Sequence, residues 1–205
     1  MYIHPKNVWE EEAEIVEFIK GNPFATLVSE VNGKPWATHI PLLLSKNKEG
    51  ETTITGHVAK ANIQWKQLGE KEILVIFQGP HAYISSSWYN HENVPTWNYL
   101  AVHIYGNIRI IEGEELMDHL KTLVDRFEEG RPNRVSVEGM SKPYLESQLR
   151  GLIGVEITIN EVQANAKLSQ NRDETNYHSI IQHLESSNFG TDQEVAKEMK
   201  NRMKK

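Results

Sequence analysis

The segment Gly56-His57-Val58-Ala59-Lys60-Ala61-Asn62 holds residue types that an anion needs. A β-prone approach, then Ala61, Trp65 and Leu68 at helical spacing on one side with Lys60, Gln64 and Gln67 nearer the other, predict a strand running into a helix. Free backbone N–H groups and the positive helix end would face outwards there. Gly56 would let backbone come close to a guest, Lys60 would add charge, and His57 and Asn62 could donate hydrogen bonds. A phosphate fits that description, and so does a capped helix with a solvated lysine. The second candidate is Ala37-Thr38-His39-Ile40-Pro41. Alternation puts Thr38 and Ile40 on one side of a strand and His39 and Pro41 on the other; Pro41, lacking an N–H, belongs at an edge or bulge where backbone is open to a ligand. An edge strand with an exposed histidine gives the same pattern. Third, residues 82–111 carry Tyr83, Trp88, Tyr89, Trp97, Tyr99 and Tyr105 with His91 and His103. Aromatics on a loop between strands suit a flat ring, and they fill barrel cores equally well.

Other chemistries find no support. The nine histidines show no HExxH or HxH spacing, and a chain without cysteine has no thiolate metal site, disulfide or thiol nucleophile. There is no GxSxG elbow, P-loop or dinucleotide fingerprint, which leaves hydrolase and NTPase readings without support. A net charge of −6 opposes broad nucleic-acid affinity, so any DNA contact must be local. The basic stretch is C-terminal, where Lys197, Lys200, Arg202, Lys204 and Lys205 outnumber Asp192, Glu194 and Glu198. Such a tail either meets phosphates or is a frayed, solvated end. No apolar run approaches the roughly 20 residues of a membrane span, and no signal-peptide pattern opens the chain, so a cytoplasmic protein is expected.

The elements that must position these residues read as follows. Asn7 and Glu10, at capping-box spacing, predict a first helix over about residues 8–20, stopped by Gly21 and Pro23. Asn32-Gly33 predicts a hairpin of residues 24–31 and 35–44. A third strand covers residues 51–58, a helix follows from Ala59, and a strand over 72–78 breaks at Gly79-Pro80. Residues 82–111 give strand, long loop, strand. Leu116, Leu120, Leu123, Val124 and Phe127 line an amphipathic helix, Tyr144 to Leu149 a shorter one, and a last strand runs from Val155 towards Leu168. Two helices end the chain, on Tyr177, Ile180, Ile181 and Leu184 and then from Thr191 on Val195, Met199 and Met203. About seven strands with few, inserted helices predict a mainly β, α+β fold: a closed or split barrel rather than a doubly wound sheet. Residues 1–190 read as one domain, with 191–205 a basic helix appended to it.

SWY at Ser87 followed by VPTWNYLAVHIYG from Val94 resembles the signature of the PaiB-type FMN-binding transcriptional regulators. So do MYI at Met1, ATHIPLLL at Ala37, GHVAKANIQW at Gly56 and KLSQN at Lys167, in the same order along the chain. The resemblance implies an FMN-binding split β-barrel related to the pyridoxamine-phosphate-oxidase-like flavoproteins. It also implies a homodimer with FMN near the subunit interface and a role as negative transcriptional regulator. It turns the junction of Gly56, His57, Lys60 and Asn62 into the FMN phosphate site and lays His39, Ile40 and Pro41 along the isoalloxazine. Trp97, Asn98, Lys167, Ser169 and Gln170 become groups reaching the flavin carbonyls, ring nitrogens or ribityl hydroxyls. Lys167 could equally be a surface charge and Ser169 to Asn171 a helix cap. Two positions depart from the family pattern: Ser86 stands where Pro is usual, and Asn133 follows Pro132 where Trp is usual. The second leaves the 131–142 loop without an expected ligand wall. No helix-turn-helix is legible, so a regulator would reach operator DNA by an unusual surface or indirectly. The other reading is a flavin- or haem-dependent oxidoreductase of the same fold (flavin reductase, oxidase or haem-degrading type), with His57, His81 and His103 as available haem ligands.

Overall fold

Asn32 and Gly33 both take positive φ, 53° and 76°. A two-residue type I′ turn demands that pair, because its twist matches that of the strands it joins. Strand β1 (Phe24–Val31) therefore turns straight into β2 (Lys34–Pro41), in register from Val31↔Lys34 to Phe24↔Pro41. At Pro41 the expected single return strand breaks. The fully buried Leu42 gives its N–H to Pro23 O at 2.8 Å, and β3 (Leu43–Lys46) leaves to pair with β4 (Thr52–Ala59).

The computed structural model describes residues 1–69 and 71–203. Its remaining strands are β5 (Ile73–Ile84), β6 (Thr96–Ile111) and β7 (Leu152–Lys167), and the sheet order is β2-β1-β5-β6-β7-β4-β3. The edge strands β2 and β3 are one residue apart in the chain. A residue spans about 3.5 Å, so a sheet joined to itself through Leu42 must curl far enough to bring the ends of its two edge strands together there, leaving the rest of each edge unpaired. The expected strand number holds, for a different reason: the return strand is two strands, and β5 runs unbroken through Gly79-Pro80. Bare Gly79 admits the Phe18 ring there, since a Cβ would stand 2.4 Å from Phe18 Cε2.

The chain divides into two units. A barrel unit comprises Pro23–Ile76 and Ile104–Val162, and contains part of every strand. Leu27, Ile54, Val75, Ile104 and Ile157 are fully buried in it. On β4, Thr53, Ile54, Thr55 and Gly56 are all buried, so the strand shows no wet face. Helix α2 (Gly113–Glu128) sets Leu116 and Leu120 against Val137, with Leu145 and Leu149 of α3 (Lys142–Leu149) beside them.

A helical unit comprises Met1–Asn22, Phe77–His103 and the described residues from Gln163 on. It carries α1 (Glu12–Gly21), α4 (Glu174–Glu185) and α5 (Gly190–Met203). Helix α1 starts four residues later than Asn7 and Glu10 suggest. Asn7 ends a 3-10 turn, Val8 bridges to Asn165, and Trp9 N donates to Ala164 O at 3.2 Å, which holds the chain extended. The C-terminal segment is no frayed tail as far as Met203. Val195, Ala196 and Met199 of α5 are fully buried, and burying a Val and a Met contributes roughly 3–6 kcal/mol together. Among the described residues no helix is long and apolar enough to cross a membrane.

Candidate functional site

In the barrel unit, β2 is a sheet edge, as Pro41 implied. His39 is exposed and lies nearly parallel to the Phe24 ring, with centroids 6.3 Å apart; Ile40 is buried and Pro41 half-buried. The chain beyond Lys60 is not an α-helix but a 3-10 helix of five residues, Ile63–Gln67, capped by the Asn62 side chain. Its donors are largely spent. Lys60 N donates to Gly151 O (2.8 Å), Asn62 N to Ala59 O (2.9 Å) and Gln64 N to Asn62 Oδ1 (3.1 Å). The helix-dipole argument for a phosphate therefore fails, since the dipole needs several aligned turns. Lys60 itself stays exposed.

The residue organising this turn is Gln64, which the helical reading put on the wet side. It is 0% exposed. Its Nε2 faces Ser29 Oγ at 3.0 Å and Leu27 O at 3.4 Å, and its Oε1 accepts from Thr38 Oγ1 at 2.5 Å. Asn62 Nδ2 donates to the same Thr38 hydroxyl at 2.8 Å, which straps the turn to β2. Gly56 serves packing rather than a guest: a Cβ there would lie 2.4 Å from Leu42 Cδ2 and 3.3 Å from Pro41 O. His57 is also occupied. Its Nδ1 lies 3.1 Å from His119 Nε2, and His119 Nδ1 lies 3.1 Å from Thr55 Oγ1. Burial, and then the neighbouring His57 charge, push His119 down to about 4, and burial lowers His57 too. Both rings are neutral at pH 7 and form a continuous hydrogen-bonded row with Thr55. His119 sits on the apolar face of α2, three residues after Leu116, a place where a histidine stands out in the sequence.

In the helical unit, a cleft of about 570 Å³ is lined by Tyr2, His4, Lys6, Asn7, Val94, Pro95, Thr96, Tyr99, Asn165, Lys167, Ser169, Asn171 and Arg172. Three of the quoted motifs, MYI, VPTWNY and KLSQN, thus contribute to one hollow. Lys167 Nζ donates to Thr96 Oγ1 at 2.6 Å, leaving two further N–H groups. Asn165, 2% exposed, donates to Tyr99 Oη at 2.8 Å while its Oδ1 has no partner. Arg172 lies over the Tyr89 ring at 4.9 Å with its buried Nε unpaired. Ser169 holds a left-handed φ of 62°, unusual for a non-glycine residue, and gives its hydroxyl proton to Asn98 Oδ1 at 3.0 Å. Asn98 Nδ2 in turn reaches Met199 Sδ at 3.6 Å. Gln170 is folded onto its own loop, accepting from Leu168 N at 2.7 Å and donating to Ala166 O. The polar atoms of Asn98, Ser169 and Gln170 thus fix the turn after β7. Trp97 is 52% exposed, with Tyr83 and His81 rings 5.9 and 6.1 Å away.

The profile of a family described as "Putative FMN-binding domain" matches residues 1–161. The chain belongs to that FMN-binding family. It is 45% identical over 193 residues to "Protease synthase and sporulation protein PAI 2" of Bacillus subtilis, covering 94% of this chain and 93% of that one. Among solved structures it resembles a FAD and heme binding protein from Mycobacterium smegmatis (TM-score 0.62, 14% identity, 84% and 79% of the two chains). It also resembles a flavocytochrome from Azotobacter vinelandii (TM-score 0.55, 18% identity, 83% and 78%). At such identities these likenesses concern the fold, and they agree with the split β-barrel. Of the twelve residues that the FMN-binding family resemblance picks out, seven lie in the barrel unit: His39, Ile40, Pro41, Gly56, His57, Lys60 and Asn62. Five lie in the helical unit: Trp97, Asn98, Lys167, Ser169 and Gln170. Sequence reasoning missed Gln64 and His119 in the first set and Lys6, Asn165 and Arg172 in the second. Among the described residues no group of three or more His, Asp or Glu could hold a metal ion.

Proposed function

We propose that this chain binds FMN on its barrel unit and acts as a negative regulator of transcription, working as a homodimer. Family membership supports the flavin. The structural observation that carries the site is the Asn62 to Thr38 hydrogen bond of 2.8 Å, which couples the turn bearing exposed Lys60 to the open edge bearing His39. The backbone of His39, Ile40 and Pro41 would orient the ring, and the Lys60 ammonium would pair with the phosphate. Bound FMN supplies hydride and single-electron chemistry, and with it a redox state that a regulator can sense. The relative's name, a protease synthase and sporulation protein, is compatible with an output in gene expression. Direct DNA contact through α5 has thin support. Lys200 pairs with Glu185, and Arg202 pairs with Glu14 at 3.1 Å while lying 4.6 Å over the Trp9 ring. Lys204 and Lys205 lie outside the described residues. We therefore favour an indirect route to the operator.

The test is the absorbance of the purified protein with and without added FMN and hemin, with light scattering on the same samples. Flavin bands near one per chain on a dimer are expected; a Soret band or a flavin-loaded monomer would overturn the reading. Lys60→Ala should weaken FMN by roughly tenfold or more while sparing riboflavin, because only FMN presents the charge. Equal effects on both would remove Lys60 from the phosphate.

A second reading, a flavin- or haem-dependent oxidoreductase, draws on the Thr55, His119 and His57 row, which can pass a proton inward. Anaerobic reduction of bound flavin by NADPH at catalytic rates, lost in His119→Asn, would favour it over the regulator.

A further inference from the structure

Apart from its cationic cleft, the helical unit holds a second hollow of about 380 Å³, a volume within the ~300–1,000 Å³ of small-molecule sites. Its floor is apolar, made by Trp9, Phe18, Pro80 and the buried Leu100. Its rim is acidic: Glu14, Glu17 and Glu198 stand there against a single cation, Arg202. That cation is already committed. Arg202 Nη1 donates to Glu14 Oε2 at 3.1 Å, and the guanidinium lies 4.6 Å over the Trp9 ring. The seat it has taken shows what this region favours, a positive charge between an aromatic face and a carboxylate. Glu17 is matched by Lys20 at 2.7 Å, out in solvent. Glu198, one turn before Arg202 on α5, is half-buried and has no hydrogen bond or ion pair of its own among the described residues. Gly21 and Asn22, at the C-terminal end of α1, also line the hollow, so the negative end of that helix dipole adds to the same field. An apolar floor disfavours a bare ion, and an acidic rim disfavours an anion or a purely neutral guest. An ammonium carried on a hydrocarbon or aromatic body satisfies both.

We propose that this hollow binds a small organic ammonium ion, its apolar body against Trp9, Phe18, Pro80 and Leu100 and its N–H groups on the Glu198 carboxylate. The site goes beyond the FMN reading: none of these residues is proposed for the flavin, and none lines the cationic cleft.

Calorimetric titration of phenethylamine, its neutral analogue phenethyl alcohol and methylammonium into the full chain tests this at neutral pH, where an alkyl amine carries its proton. Phenethylamine should bind at one per chain, and more tightly than either of the other two. Glu198→Gln keeps the shape of the side chain and should weaken phenethylamine by roughly tenfold while leaving phenethyl alcohol unchanged. Asn201 lines the same rim and is exposed, so Asn201→Lys spares the core and should weaken phenethylamine as well, by setting a cation beside it. Failure of phenethylamine to bind overturns the proposal, as does equal binding of the alcohol, which would leave the carboxylates no part in recognition. Unchanged affinity in either variant overturns it too. Binding of a lysine-rich peptide without binding of phenethylamine would make the hollow a protein-docking face and likewise overturns it.

Discussion

Two of the hollows walled by charged side chains among the described residues are built on opposite rules. In the barrel unit a pocket of about 170 Å³ is lined by Lys46, Lys48 and Arg109 and by Glu115, Asp118 and Glu156, three of each sign. Arg109 meets Glu115 at 3.0 and 3.1 Å and Glu156 at 2.8 Å, and its guanidinium, with Lys48 behind it, holds the Glu115 carboxyl down to about 2. In the helical unit the cleft has three cations, no lining acid and a buried acceptor without a partner. A charge matched inside the fold adds cohesion; one left unmatched is available to a ligand. The same distinction sorts the sequence's own candidates. Gly56, Asn62, His57, Asn98, Ser169 and Gln170 are engaged by their neighbours, while Lys60, Lys167 and the β2 edge keep free capacity.

The contrast can be broken most severely at Gln64. Gln64→Leu would remove the acceptor of the Thr38 hydroxyl proton and the amide donor facing Ser29 Oγ and Leu27 O, and should cost about 2–4 kcal/mol. Urea unfolding would show this as a lower midpoint at unchanged slope. A loss below about 0.5 kcal/mol would mean that the turn is not held by the amide.

Acid should come next. Unfolded imidazoles take up protons near 6.5, whereas His119 in the fold resists until about 4 and His57 is lowered as well. Between those values the unfolded chain binds more protons, so stability falls as pH drops from 6.5 towards 4, by on the order of 2–3 kcal/mol. Below that window His119 contributes no further change. Comparing pH series for the protein and for His119→Asn isolates the effect from that of the carboxylates; parallel curves would refute it. The smallest effect belongs to the cleft. Lys6→Ala should change stability by less than about 0.5 kcal/mol, within the range of ordinary surface substitutions. A larger loss in urea would show that this lysine holds structure together.

Much of the fold was legible because it is local. Asn32-Gly33 announced its hairpin, and the faces of α2 and α4 were written at helical spacing. What misled was distant or of unusual period. Val8 is held extended by Asn165, 157 residues away, which no capping-box spacing can show. Gly79-Pro80 looks like a break until Phe18 is found filling the glycine's space. Gln64 was turned outward by a period of 3.6 applied to a 3-10 helix, whose period is about 3. The motifs located the segments of both candidate regions. They could not tell an engaged side chain from a free one, because that depends on partners such as Thr38 for Asn62 and Asn98 for Ser169.

The single residue between β2 and β3 has a consequence for how this chain is made. Strand β4, already tied to β3, waits for a partner in β7, and the register Thr53↔Thr158 puts that partner 105 residues downstream. At about 5–20 residues per second, a ribosome delivers it some 5–20 s later. Through that interval the nascent barrel stands open along β4 with Thr53, Ile54 and Thr55 uncovered, a ready template for a neighbouring chain. The ring closes only once residues 152–167 have been made, so expression at high translation density should select for holdase assistance more strongly than the finished protein's stability would suggest.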